Sequence, residues 1–208
     1  MSSRNHLATE PDGRDRILTV AIRSFAERGY DGTTTAGVAR EAGVTQPLVH
    51  HHFGSKDGLW RAAMDELFAE VRMFTAKDAK TSLREVLLRS VEQFVRLSAD
   101  RPEIARIIAR EGTAPNARLT YLIENYLKTP FTEFVEALGQ GQKAGLIAKP
   151  IRPDLLFFFF LGACTHLFDV TALAKEGLGI DTNRKDTREQ FVVLAREILG
   201  RLLQGESR

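Results

Sequence analysis

The sequence predicts an all-α protein, a small helical head at the N-terminus followed by a larger helical body. Apolar residues recur at three- and four-residue spacing through most of the chain, the period of helices that bury one face. Capping residues precede these runs and glycine closes several of them, as helix termini require. At 208 residues the chain holds one large domain or two small ones, enough for a proper core. The expected division is a mobile polar arm over 1–11, a head over 12–56 (to about 58) and a body over 57–208.

The first head helix is expected over 12–28, with Ile17, Leu18, Ala21, Ile22 and Phe25 on its apolar face and Gly29 as its stop. A second begins after Thr33 or Thr34, either of whose hydroxyls can accept a hydrogen bond from the first turn. Val38, Ala39 and Ala42 face inward from it, while Arg40 and Glu41 turn outward. Gly43 then supplies the left-handed backbone of a tight turn. Thr45 is the expected cap of the third helix, and Pro47 sits in its first turn, where a missing N–H matters little. Val49 and Phe53 point to the core, and Gly54 ends the helix before Ser55 caps the next one at Lys56. Two helices joined by a few residues with glycine at the turn form a helix-turn-helix, whose second helix reads bases in the major groove of DNA.

Three runs carry a resemblance: Phe25-Ala26-Glu27-Arg28-Gly29-Tyr30-Asp31-Gly32-Thr33-Thr34-Thr35, Val38-Ala39-Arg40-Glu41-Ala42-Gly43-Val44-Thr45 and His52-Phe53-Gly54-Ser55-Lys56-Asp57-Gly58-Leu59. Over about the first quarter of the chain they resemble the DNA-binding domain of the tetracycline-repressor (TetR) family. The resemblance implies a cytoplasmic, homodimeric repressor that binds double-stranded DNA at a palindromic operator and is released by a small apolar or amphipathic effector. An activator, or a repressor that needs no effector, is the alternative on the same fold. Members of the family often carry tyrosine, in contact with a DNA phosphate, at the position of His50. Histidine there has a shorter reach and a pH-dependent charge.

Roles in the head follow from side-chain chemistry. The Gln46 carboxamide can bond adenine in a bidentate way. Thr45 serves as a cap, a phosphate contact or a thymine-methyl contact, and Leu48 packs on a base or methyl group. Thr34, His50, His51 and Lys56 are expected to position the duplex on its phosphates, and Thr35 and Pro47 are further DNA-binding candidates. Arg4, Arg14 and Arg16 either touch phosphates near a minor groove or belong to a solvated tail. The net charge of +2 offers no broad basic surface, so binding must come from placed residues and helix N-termini.

The fourth helix carries Leu59, Trp60, Ala63, Met64, Leu67, Phe68 and Val71, and is expected to run on to Met73 and Phe74. Ser82 with Glu85 forms a capping box for a fifth helix reaching about Ala99, and a sixth opens at Pro102 and ends at Glu111. After a break at 112–115, one long helix is expected over 116–144, bent near Pro130 and ended by Gly145. Pro153 and Asp154 open a helix with four successive phenylalanines, 157–160, which is apolar nearly all round and must be covered on several sides. Asp186 with Glu189 is read as a second capping box, starting a last helix with Phe191, Val192, Leu194, Ala195, Ile198, Leu199 and Leu202. The last two helices are the expected homodimer interface, which would set the two heads about 34–36 Å apart.

Phenylalanine outnumbers tyrosine and tryptophan, 13 against 3 and 1, so a ligand pocket in the body is expected to be mostly apolar. Its candidates are Phe94, Ile107, Arg110, Tyr126, Phe159 and His166, each with core packing as the alternative role. Arg110, Glu111, Glu133 and Glu136 read as surface charges. The triplet His50-His51-His52 cannot close on one metal ion, because successive helical residues point about 100° apart. No catalytic constellation, phosphate loop or cofactor motif is present, and no enzyme activity, metal or cofactor is expected. Cys164, the single cysteine, cannot form an intrachain disulfide and fits a reducing cytoplasm. No signal peptide is recognised, and the apolar run 155–163 is too short to span a bilayer, so no membrane partner is expected.

Overall fold

A computed structural model describes residues 13–69, 71 and 81–203, and every regular element among them is helical. The arm over 1–11, with Arg4, lies outside the described residues, as do Met73 and Phe74. The chain separates into two compact units, divided between Leu67 and Phe68. This places the whole fourth helix with the head, eleven residues beyond the expected limit at 56.

The head comprises α1 (Gly13–Gly32), α2 (Thr35–Glu41), α3 (Gln46–Phe53) and α4 (Lys56–Leu67). α1 runs beyond the expected stop, yet Gly29 kinks it with φ 73° and ψ 178°. The Thr33 hydroxyl donates to the Gly29 carbonyl at 2.8 Å and ties off the kinked end. Ile17, Leu18, Ala21, Ile22 and Phe25 are buried, as are Val38, Ala39, Val49, Leu59 and Trp60. Glu41 accepts from Arg28 at 2.9 Å and from Arg23 at 3.4 Å, linking α2 to α1. α4 ends at Leu67, short of the expected 73–74, while Phe68 and Val71 remain buried beyond it.

The body begins at Phe68 and contains α5 (Leu83–Asp100), α6 (Pro102–Glu111), α7 (Ala117–Leu122), a π turn (Ile123–Leu127), α8 (Lys128–Lys143), α9 (Pro153–Asp169), α10 (Thr171–Leu178) and α11 (Lys185–Leu202). α5 is central and packs against α6, α8, α9 and α11. Leu87, Leu88, Val91 and Val95 of α5 share a core with Leu138, Phe160, Cys164, Val192 and Leu199. Ser82 caps α5 and Asn116 caps α7, each accepting from the backbone N–H three residues on.

Three expectations are corrected here. The long helix 116–144 is interrupted by the π turn, which ends three residues before Pro130. Proline offers no N–H to the carbonyl four residues earlier, so α-helical bonding fails around Tyr126, and a wider turn absorbs the defect. Asp186 and Glu189 form no capping box: α11 starts at Lys185 with no side-chain cap. The Asp186 carboxylate instead takes the Arg184 guanidinium, which holds it below the usual carboxylate range. Glu189 accepts from Arg96 of α5 at 2.6 and 2.9 Å, and that hydrogen-bonded cation lowers its pKa. Glu111, read as a surface charge, is buried and takes the Arg118 Nε at 3.0 Å, closing the 112–116 break.

α10 was not foreseen. Its eight residues are anchored by the buried Ala174, while Leu173 and Leu178 are exposed. Leu155, Phe158 and Phe159 of α9 and Val193, Leu194 and Ile198 of α11 are exposed as well. No single helix among the described residues is long and apolar enough to cross a membrane, and α9 and α10, which qualify only as a pair, meet at 69°.

Cys164 is buried in the body core, and desolvation pushes its thiol up from 9.0 to about 12. The folded state therefore disfavours the thiolate, so this group contributes stability below pH 9.0 that is lost as the pH rises toward 12. Iodoacetamide at pH 8 is expected to leave the native thiol unmodified and to alkylate it fully in denaturant, as mass spectrometry would report. Rapid native labelling would contradict the burial.

Candidate nucleic-acid interface and ligand cavity

The turn between α2 and α3 is built as the sequence requires. Thr34 accepts from the Gly37 N–H at 3.0 Å, and Gly43 takes a positive φ of 65°. Thr45 occupies the N-cap position of α3, but its hydroxyl makes no cap hydrogen bond. Its expected capping role is corrected, and the side chain stands exposed at the start of the helix. Pro47 lies in the first turn, where it removes no intrahelical bond.

α3 shows one polar, open face. Gln46, Pro47, His50 and His51 are exposed at one-turn spacing, Leu48 is half-buried, and Val49 alone of the helix is fully buried. Phe53, expected in the core, is half-buried, with the Arg14 guanidinium 5.8 Å from its ring centre and the His52 ring 5.9 Å away. Thr34 is exposed and Thr35 half-buried at the start of α2. Arg16 is exposed on α1. The Lys56 ammonium sits 4.4 Å above the Tyr30 ring and 3.5 Å from the Asp31 carbonyl, so the end of α1 holds this cation beside the N-terminus of α4. Ser55 caps α4, accepting from the Gly58 N–H at 3.0 Å.

His50 deserves its own chemistry. Its Nδ1 lies 3.2 Å from the Gly54 carbonyl oxygen, which can only accept, so the bond forms in the tautomer whose proton is on Nδ1. The neutral ring then presents a lone pair at Nε2. Donation from Nε2 to a phosphate requires the doubly protonated ring, a demand that the tyrosine common at this position would not make.

The body holds a partly open cavity of about 170 Å³ between α5, α6, α8 and α9. Phe94 of α5, Phe131 and Phe134 of α8, and Phe157 and Phe160 of α9 line it, with Phe131 and Phe157 at 4.7 Å between ring centres. Of the six ligand candidates, Phe94 lines it and the other five do not. Ile107 is buried elsewhere in the body, and Tyr126 is stacked on Phe68 at 5.0 Å. Arg110, Phe159 and His166 are exposed. Helical periodicity predicted which residues were apolar but not which side of a helix met empty space. Glu133, read as a surface charge, lines the cavity. A sequence signal for it existed: Pro130, Phe134, Ala137 and Gly141 form a stripe at helical spacing, and Glu133 falls inside that stripe.

A helix-turn-helix with an open polar reading helix, carried by a chain with a helical body, defines a DNA-binding transcription regulator. Residues 17–63 match the family described as "Bacterial regulatory proteins, tetR family". The chain is 31% identical over 157 residues to the HTH-type transcriptional repressor KstR2 of Rhodococcus jostii (strain RHA1), covering 70% of this chain and 73% of that protein. This chain belongs to the tetR family of regulators. Its fold is shared with the ketosteroid transcriptional regulator KstR2 of Mycobacterium tuberculosis, at a TM-score of 0.69 and 24% identity, over 95% of this chain and 97% of the other. It is shared too with AibR, solved in complex with isovaleryl coenzyme A and operator DNA, at a TM-score of 0.67 and 22% identity, over 92% and 98% of the two chains.

Proposed function

We propose that this regulator is a homodimeric repressor that binds a palindromic operator and leaves it when a small apolar or amphipathic effector enters the body cavity. The observation that carries this reading is the pairing of an apolar, phenylalanine-walled cavity with an uncovered apolar face on α9 and α11. Exposed apolar area of this kind marks an interaction surface, and a second copy of the chain would bring a second reading head. The effector acts by binding more tightly to the conformation whose heads do not match successive major grooves. The ratio of its two affinities sets the response.

On the DNA side, Gln46 reads a base edge from the first turn of α3, with Thr45, Pro47 and Leu48 beside it. Thr34, His50, His51 and Lys56 position the duplex on its phosphates, with Thr35 next to Thr34. Selection of bound sequences from a random DNA library is expected to recover a palindrome with half-sites about one helical turn, 34–36 Å, apart. With that operator, Gln46→Ala should cost about 1–3 kcal/mol at a single base pair per half-site and leave the preference at other positions intact. Uniform weakening at all positions would remove Gln46 as a reader, and recovery of no palindrome would overturn the dimeric reading.

A further inference from the structure

We propose that the body cavity selects an apolar ligand bearing a hydrogen-bond-donating head, an amine or a hydroxyl, and rejects a free carboxylate, with Glu133 as the receiving group. This rests on the reading of the cavity as the effector site and specifies the chemistry of that site.

Among the described residues that line the cavity, the side chains with hydrogen-bonding oxygen atoms are those of Ser90 and Glu133, and no lysine, arginine or histidine is among them. The Ser90 hydroxyl donates to the Val86 carbonyl at 2.9 Å, so what it offers a ligand is lone pairs. Glu133 is half-buried and has no hydrogen-bond or ion-pair partner among the described residues. Its neighbours along the same face, Pro130, Phe134 and Ala137, are apolar and line the same cavity.

The described side chains of the cavity thus offer acceptors and no charged donor. A ligand that leaves water for this space must bring its own donor, because a buried polar group without a partner costs free energy. An ammonium gains a charge-assisted bond to the Glu133 carboxylate, and a hydroxyl gains an ordinary one. A ligand carboxylate meets a like charge in a surrounding of low polarity, with no cation among the described lining residues to offset it.

Three probes with one eight-carbon chain and different heads test the assignment: 1-octylamine, 1-octanol and octanoate, titrated calorimetrically into the full chain. The amine and the alcohol are expected to bind, with octanoate at least tenfold weaker. Glu133→Gln keeps the side-chain size, removes the charge and adds an amide donor, so it should weaken the amine, strengthen octanoate and close the gap between them. Equal binding of the three probes by the wild type, or an amine advantage that persists in Glu133→Gln, overturns the role of Glu133. Ala137→Trp, with its fold checked by circular dichroism, fills the cavity and should abolish binding of all three. Amine binding that survives this variant, or binding of none of the probes by the wild type, overturns the cavity reading itself.

Discussion

Replacing Gly58 with alanine is expected to disable the reading head. The added Cβ would lie 2.1 Å from the Phe53 carbonyl oxygen and 3.3 Å from its carbon. Backbone meets backbone here, so no side-chain rotation relieves the clash, and α3 must move away from α4. The expected loss of stability is about 3 kcal/mol, the upper end of ordinary overpacking. Operator affinity should fall further than stability alone accounts for, because α3 is the element displaced. Gly139→Ala in α8 is the matched control: its Cβ would meet nothing within 4 Å. There the alanine should stabilise the helix by up to about 1 kcal/mol. Urea denaturation and operator titration of both variants decide the matter. A Gly58→Ala protein as stable and as tight-binding as the wild type would show that the α3–α4 junction is softer than its geometry implies.

Placing glutamate at Phe158 and Ile198 together is the second large effect. Both side chains are exposed in the single chain, Phe158 at 62% and Ile198 at 43%, so the folded protomer has room for the charges. Across a two-fold interface each charge would lose its water without gaining a partner. Sedimentation is expected to find a folded monomer. Its operator affinity should drop by about 10²–10⁴-fold, the gain that comes from linking two binding modules. A variant that still sediments as a dimer would move the interface away from α9 and α11.

The head was legible in the sequence because local chemistry fixes it. Thr34, Gly43, Gly54 and Ser55 each satisfy a requirement that two or three neighbouring residues impose, and the chain meets each one where expected. The body was less legible, for three different reasons. Asp186 and Glu189 have the spacing of a cap, yet arginines took both carboxylates, Arg184 two residues before Asp186 and Arg96 of α5 for Glu189. α10 shows too little buried surface to produce a periodic signal, since Ala174 is its one buried residue. The cavity depends on where packing fails, which apolar spacing does not record. Phe94 and Phe159 look alike in the sequence, but Phe94 lines the cavity while Phe159 stands 60% exposed. Glu133 is the exception, since a charge inside an apolar stripe is a local anomaly that sequence alone displays.

The four successive phenylalanines of α9 divide their labour by the pitch of the helix. Phe157 and Phe160 form cavity wall, whereas Phe158 and Phe159 project from the opposite side. One rigid rod therefore carries two occupancies, and neither can change its orientation without turning the other. With the proposed dimer and effector, such a rod would make ligand saturation a function of protein concentration. Any turn of α9 that accommodates a ligand would be unopposed in a lone protomer. In a pair it would be resisted by the neighbouring copy, and more ligand would be needed for the same fractional filling. The cell's own expression level would then set the threshold at which the regulator responds.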